Sequence, residues 1–180
     1  MVIRHGEKPD DSGVRQGVTA KGERDSESLT IRGWQRAGAY MCFFAPSAGP
    51  LQHPAIATPR HLFASKVAAS SNSKRPEETI KPLSSKLGLK IDNHCTKADH
   101  DEMATRAMAC DGVVLICWEH QLIPTIARRI LGDAATVPEN WPDDRFDLVW
   151  VFDRDPATGA YGFEQVASGL LDGDLPTVIS

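Results

Sequence analysis

The 180-residue chain has no hydrophobic run long enough to cross a bilayer. Val113–Trp118 is six residues and Ala39–Ala45 seven, against the roughly 20 that a spanning helix requires. No basic segment followed by an apolar one opens the sequence, so no signal peptide is expected, and no membrane partner. Strong basicity is also missing: the isoelectric point is about 5.8, which argues against a nucleic-acid partner. The four cysteines (Cys42, Cys95, Cys110, Cys117) contain no C-x-x-C pair and no zinc-like spacing. Unpaired cysteines of this kind fit a reducing compartment, and the expected location is cytoplasmic. None of the four has an arginine six residues downstream, as a cysteine phosphatase needs. The patterns G-x-x-x-x-G-K-[ST], G-x-S-x-G and H-E-x-x-H do not occur, which sets aside three further catalytic classes.

What is present reads as an ordinary globular chain. Hydrophobic residues make up 41%, charged residues 24%, and the mean hydropathy is -0.29. One domain over residues 1–180 is expected, with enough chain to bury a core unaided. The net charge of -4 conceals an asymmetry. Residues 1–90 hold 14 Lys+Arg against 8 Asp+Glu, and residues 91–180 hold 6 against 16. A basic excess confined to one half suits a small anionic ligand better than a polyanion.

Short apolar runs alternate with helical periodicity, the signature of an α/β domain. Expected strands are Met1–Ile3, His61–Val67, Leu89–Ile91 and Val113–Trp118, followed by a hairpin of Phe146–Asp153 and Tyr161–Val166 around Pro156–Gly159. Expected helices cover Ile31–Phe44, Pro76–Leu87, Asp99–Met108 and Gln121–Leu131. Thr30 is placed as N-cap of the first, and Ala37, Tyr40, Met41 and Phe44 as its apolar stripe. Residues 9–29 are polar and glycine-bearing, a loop long enough to be a functional lid or disordered. The fold expected is a three-layer α/β/α sandwich with a mostly parallel central sheet and an antiparallel edge hairpin.

Three segments fall at the C-terminal ends of expected strands, where ligands bind in open α/β sheets: Arg4-His5-Gly6-Glu7, Ser73-Lys74-Arg75-Pro76 and Glu119-His120-Gln121. They supply two arginines, whose guanidinium forks match phosphate, and two imidazoles. One imidazole can serve as nucleophile and the other as proton carrier or anion donor. Arg75 and His120 also stand where helices are expected to begin, with backbone N–H groups favouring an anion. Singly, each residue reads as ordinary surface; together they point to an oxyanion, most simply a phosphoryl group. His94 with Asp99, His100 and Asp101 could be taken for a metal cluster, but polar residues at a helix start serve as caps, and no metal is expected.

The order of these motifs resembles the histidine phosphatase superfamily, which includes cofactor-dependent phosphoglycerate mutases and histidine acid phosphatases. Val2-Ile-Arg-His-Gly-Glu7 is similar to its signature. Leu29-Thr-Ile-Arg-Gly33 with Gln35-Arg-Ala37 resembles its Leu-Thr-x-x-Gly helix start. Ala69-Ser-Ser71 through Arg75-Pro-Glu-Glu-Thr79 resembles its Ser-Ser…Arg…Thr stretch, and Val113–Trp118 with Glu119-His120 its second-histidine strand. The resemblance spans roughly residues 1–132. It implies that His5 is a nucleophile forming a phosphohistidine, that Arg4, Arg75 and His120 clamp the phosphoryl oxygens, and that neither metal nor other cofactor is needed. His5 must be neutral to attack, and crowding by Arg4 and Arg75 should keep it so. Lys8-Pro9-Asp10-Asp11 stands where mutases carry a Trp-Asn and Gly-Trp pattern, which favours a phosphatase acting on a small phosphorylated substrate. Alternatives are a phosphomutase, or a catalytically weak module that binds phosphate or phosphoproteins. For the proton donor to the leaving group, Glu119 comes first, since it adjoins His120 and a carboxyl beside Trp118 should have its pKa raised. Asp101 and Glu102 are the fallback.

Overall fold

The computed structural model describes residues 1–10 and 12–180. Its strands are β1 (Val2–Arg4), β2 (His61–Ala64), β3 (Ile91–Asp92), β4 (Val114–Trp118), β5 (Leu148–Arg154) and β6 (Tyr161–Ala167). The helices are α1 (Ile31–Phe44), α2 (Arg75–Leu87), α3 (His100–Met108) and α4 (Ile123–Leu131). One sheet carries all six strands in the order β3-β2-β4-β1-β5-β6. The four strands from β3 to β1 are parallel, and β5 runs antiparallel to both of its neighbours, β1 and β6. This is the expected α/β sandwich with its antiparallel edge.

Alternation along the strands builds the two cores. In β1, Val2 enters the layer with Met103, Ile123, Ile126 and Trp150, so α3 and α4 cover that face. Its neighbour Ile3 enters the opposite layer with Tyr40, Phe44, Ile80 and Leu83, so α1 and α2 cover the other. In β4, Ile116 and Trp118 point to the first layer, Leu115 and Cys117 to the second. A strand buried on both faces reads as a continuous apolar run, which is why Val113–Trp118 was legible.

Several boundaries move from their expected places. β1 takes in Arg4, so that arginine is a strand residue whose side chain is fully buried. β2 stops at Ala64, leaving Ser65 at its C-terminal tip, and β3 is the pair Ile91–Asp92. Gln121 lies in a three-residue 3-10 turn, His120–Leu122, and the α-helix itself begins at Ile123 with Pro124 in its first turn. The α1 stripe adds Phe43 to the expected residues, with Met41 half-buried against the same core, and it buries Arg36. Thr30 does cap α1, its hydroxyl accepting the Gly33 N–H at 3.1 Å.

The second half of the 9–29 loop is pinned. Gly17 pairs with Thr30 and Val18 with Arg24. A Cβ on Gly17 would collide with the Asp25 carbonyl oxygen, so only glycine passes there. The end of the loop is stapled to α2: Lys74 Nζ reaches Asp25 at 2.6 Å, and Glu78 accepts from the Ser28 hydroxyl at 2.8 Å and the Leu29 N–H at 2.9 Å.

Candidate active site

Sheet register brings two of the three segments side by side. Arg4 of β1 is paired with Trp118 of β4, and the His5 N–H donates to the Trp118 carbonyl at 3.1 Å. The chains leaving the two strands, His5-Gly6 and Glu119-His120, therefore emerge next to each other. The start of α2 joins them through Thr79. Its hydroxyl accepts the Gly6 N–H at 2.8 Å and donates to the Arg75 carbonyl at 2.7 Å. From the other side, Gly6 lies against Gly33 of α1: a Cβ on Gly6 would be 3.1 Å from the Gly33 carbonyl oxygen. Two glycines let the backbones approach, which gives the Gly6 and Gly33 positions their physical meaning.

His5 is 5% exposed. Its Nδ1 stands 2.8 Å from the Gly6 carbonyl oxygen, and a carbonyl only accepts, so Nδ1 carries the hydrogen. The lone pair then sits on Nε2. Burial, ahead of the nearby Arg4, Arg75 and His120 charges, pushes the His5 pKa down to about 3. Crowding by the arginines, the cause expected from sequence, is the smaller contribution. Near neutral pH the imidazole is uncharged, with its Nε2 lone pair unprotonated.

A cavity of about 240 Å³ opens onto His5. Its wall carries hydroxyls from Ser65, Ser70, Ser71 and Ser73, and its charged groups are Glu27, Arg75, Lys97 and Glu119. Arg75 is held from behind, Nη1 donating to the Ser26 carbonyl at 3.0 Å, while its Nε is buried without a partner. The Ser73 hydroxyl is likewise buried and unpartnered among the described residues. The chain thus gathers His5, Arg75 and Glu119 on one cavity.

Arg4 and His120 flank His5 but look toward the 141–146 segment. Arg4 Nη1 donates to the carbonyls of Pro142 at 3.0 Å, Asp143 at 2.8 Å and Arg145 at 3.0 Å. The guanidinium lies 3.8 Å above the Phe146 ring, and Nε and Nη2 are buried with no partner among the described residues. Burial lowers the Arg4 pKa to about 10, which leaves it charged at neutral pH. His120 Nε2 meets Asp143 Oδ1 at 2.8 Å, and Nδ1 is buried and unpartnered among the described residues. Because His120 opens a single 3-10 turn, the helix-dipole argument made for it does not apply.

Glu119 pairs with Lys97 at 3.1 Å. Trp118 turns into the core, its indole N–H donating to the Lys97 carbonyl at 3.3 Å, so Lys97 rather than the indole faces the Glu119 carboxylate. Asp101 and Glu102 sit on the exposed surface of α3, where Glu102 lies 4.0 Å from His94 and Asp101 4.0 Å from His100. Neither lines the cavity, so the fallback donors are set aside.

Sequence reasoning missed three parts of this arrangement. Lys97 lay in a polar connector with no motif around it. The 141–146 segment follows the second histidine by some twenty residues and has no periodicity. The third is a buried ion network: Arg36 Nη2 reaches Glu7 at 2.8 Å and Asp174 at 2.7 Å, with Arg32 Nε 3.2 Å from Glu7. Arg36 stood in a recognised stretch as a helix residue; only packing shows it to be 2% exposed. Beside this network lies a larger cleft of about 1050 Å³, bordered by Lys8, Val14, Ile31, Asp144, Phe146 and Leu175 among others.

No protein-family model matches the chain, and no curated protein matches its sequence. No helix is long and apolar enough to cross a membrane among the described residues.

Proposed function

We propose that the chain is a phosphomonoesterase of the histidine phosphatase type, acting on a small phosphorylated substrate through a phosphohistidine at His5. The observation that carries this reading is the state of His5: buried, neutral, fixed as the Nδ1–H tautomer by the Gly6 carbonyl, and open to a polar cavity that also holds Arg75.

In this reading Nε2 attacks phosphorus, a P–N bond forms, and the ester P–O bond breaks. Glu119, in its protonated form, gives the departing oxygen its proton. Water then attacks the phosphohistidine, Glu119 takes a proton from it, the P–N bond breaks, and inorganic phosphate leaves with His5 restored. Charge spread over the phosphoryl oxygens needs positioned cations through both steps. Arg75 Nε, Arg4 Nε and Nη2, and Lys97 are the donors available for it.

Hydrolysis of p-nitrophenyl phosphate tests the proposal. Wild type should turn over, should keep its activity after prolonged chelation, and should yield acid-labile protein phosphate on rapid quench. His5→Ala should lower turnover by roughly a thousandfold or more, because the covalent route loses its nucleophile. Activity of the alanine variant above about a tenth of wild type overturns the assignment. Tight phosphate binding with no turnover by wild type would point instead to a phosphate-binding module.

A further inference from the structure

The 141–146 segment holds two residues of the proposed site from behind, and it does so with acceptors only. Three of its carbonyls take hydrogens from Arg4 Nη1, and Asp143 Oδ1 lies 2.8 Å from His120 Nε2. The segment is itself fixed by the Trp141 indole N–H, which donates to the Arg145 carbonyl at 2.8 Å. With those bonds made, these two side chains keep three buried nitrogens with no partner among the described residues: His120 Nδ1 and Arg4 Nε and Nη2.

The two imidazoles differ in a way that matters for anions. His5 has its hydrogen on Nδ1, so Nε2 offers a lone pair. In His120 the neutral ring that donates Nε2–H to Asp143 must have a bare lone pair on Nδ1, which an anion would repel. Only the imidazolium, donating from both nitrogens, satisfies Asp143 and an oxyanion together. The free protein disfavours that form: burial first, then the Arg4 charge and that of Lys8, lower the His120 pKa, while Asp143 opposes them. His5, close enough to be felt electrostatically, is neutral. Asp143 is thus the carboxylate that offsets a second positive charge beside Arg4. Its own side chain is 79% exposed while that of His120 is 7% exposed, so it can compensate a buried cation without itself being desolvated.

We infer that Asp143 is a positioning residue that makes anion binding proton-linked: a tetrahedral dianion enters the site together with one proton, which is taken up on His120 Nδ1. The inference rests on the proposed phosphate site and adds to it how the second histidine is charged. Deprotonation of His120 on the alkaline side should accordingly release the anion.

Sulfate separates this from the chemistry of turnover, because it keeps both charges at neutral pH and cannot be hydrolysed. Calorimetric titration of wild type with sulfate, in two buffers of different ionisation heat, should show uptake approaching one proton per anion, with affinity falling as pH rises. Asp143→Asn should lose that uptake and bind sulfate about tenfold or more weakly, the scale of one charge-assisted bond. Asp143→Glu should restore part of both. Imidazole nitrogen resonances should assign the new proton to His120 Nδ1. Sulfate binding without proton uptake, or Asp143→Asn with wild-type uptake, overturns the inference; the second result would put the proton on His5. If p-nitrophenyl phosphate is hydrolysed while sulfate takes up no proton, the phosphatase reading stands and this one falls. Proton-linked sulfate binding without hydrolysis gives the reverse.

Discussion

Thr79 and Gly6 are joined by a single hydroxyl that faces two ways. Thr79 Oγ1 accepts the Gly6 N–H at 2.8 Å and passes its own hydrogen to the Arg75 carbonyl at 2.7 Å. The loop carrying His5 and the helix start carrying Arg75 are thereby set at a fixed separation. Thr79 is fully buried, so no water replaces it. Thr79→Val keeps the shape and leaves the Gly6 N–H unpaired, at a cost of about 1–3 kcal/mol. Urea unfolding should show that loss, with Thr79→Ser close to wild type. Equal stability of the valine and serine variants would mean that the hydroxyl is not what couples the two segments.

His5 also makes stability depend on pH. Burial lowers its folded pKa to about 3 from the ordinary 6.5. Between those values the unfolded chain binds a proton that the folded chain refuses, so folding stability falls as pH drops from about 6.5 toward 3. His5→Asn removes the titration and should flatten that part of the profile. Denaturant midpoints followed across this acid range check it; a variant as steep as wild type would assign the acid sensitivity to other groups.

The network around Arg36 supports the site from below. Arg36 bridges Glu7, two residues past His5, to Asp174 near the C-terminus, and all three side chains are less than a tenth exposed. Arg36→Met leaves two buried carboxylates with only the half-exposed Arg32 as cation, which costs about 3–5 kcal/mol. Arg36→Lys should recover only part, because an ammonium cannot span both carboxylates with a planar fork. Thermal unfolding orders the three proteins; a methionine variant as stable as wild type would show that the network contributes nothing net.

Glu119 is tested through the leaving group. A general acid matters most where the departing oxygen is basic. Glu119→Gln should cost about 10²–10⁴ in rate on an alkyl phosphate and far less on p-nitrophenyl phosphate. Equal losses on both substrates would mark Glu119 as the anchor of Lys97, its neighbour at 3.1 Å.

Local sequence by itself determined the elements and the loops that matter. Val113–Trp118 read as a buried strand because it is apolar on both faces, Thr30 as a cap because its hydroxyl precedes a helical stripe, and His5, Arg75 and Glu119 as site residues because they follow strands or open a helix. Those are properties of a few consecutive residues, and the physics behind them is short-ranged. Tertiary structure alone decided what each side chain meets. Register between β1 and β4 set His5 beside Glu119 and His120. Chain closure brought Pro142, Asp143 and Arg145 onto Arg4 and His120 across more than twenty intervening residues, and Asp174 onto Arg36 across 138. Hydrogen bonds and ion pairs act over a few ångströms irrespective of sequence separation, so no periodicity marks them. The same closure decided that Arg4 and Arg36, two arginines that composition places at the surface, are among the largest fully buried side chains in the protein.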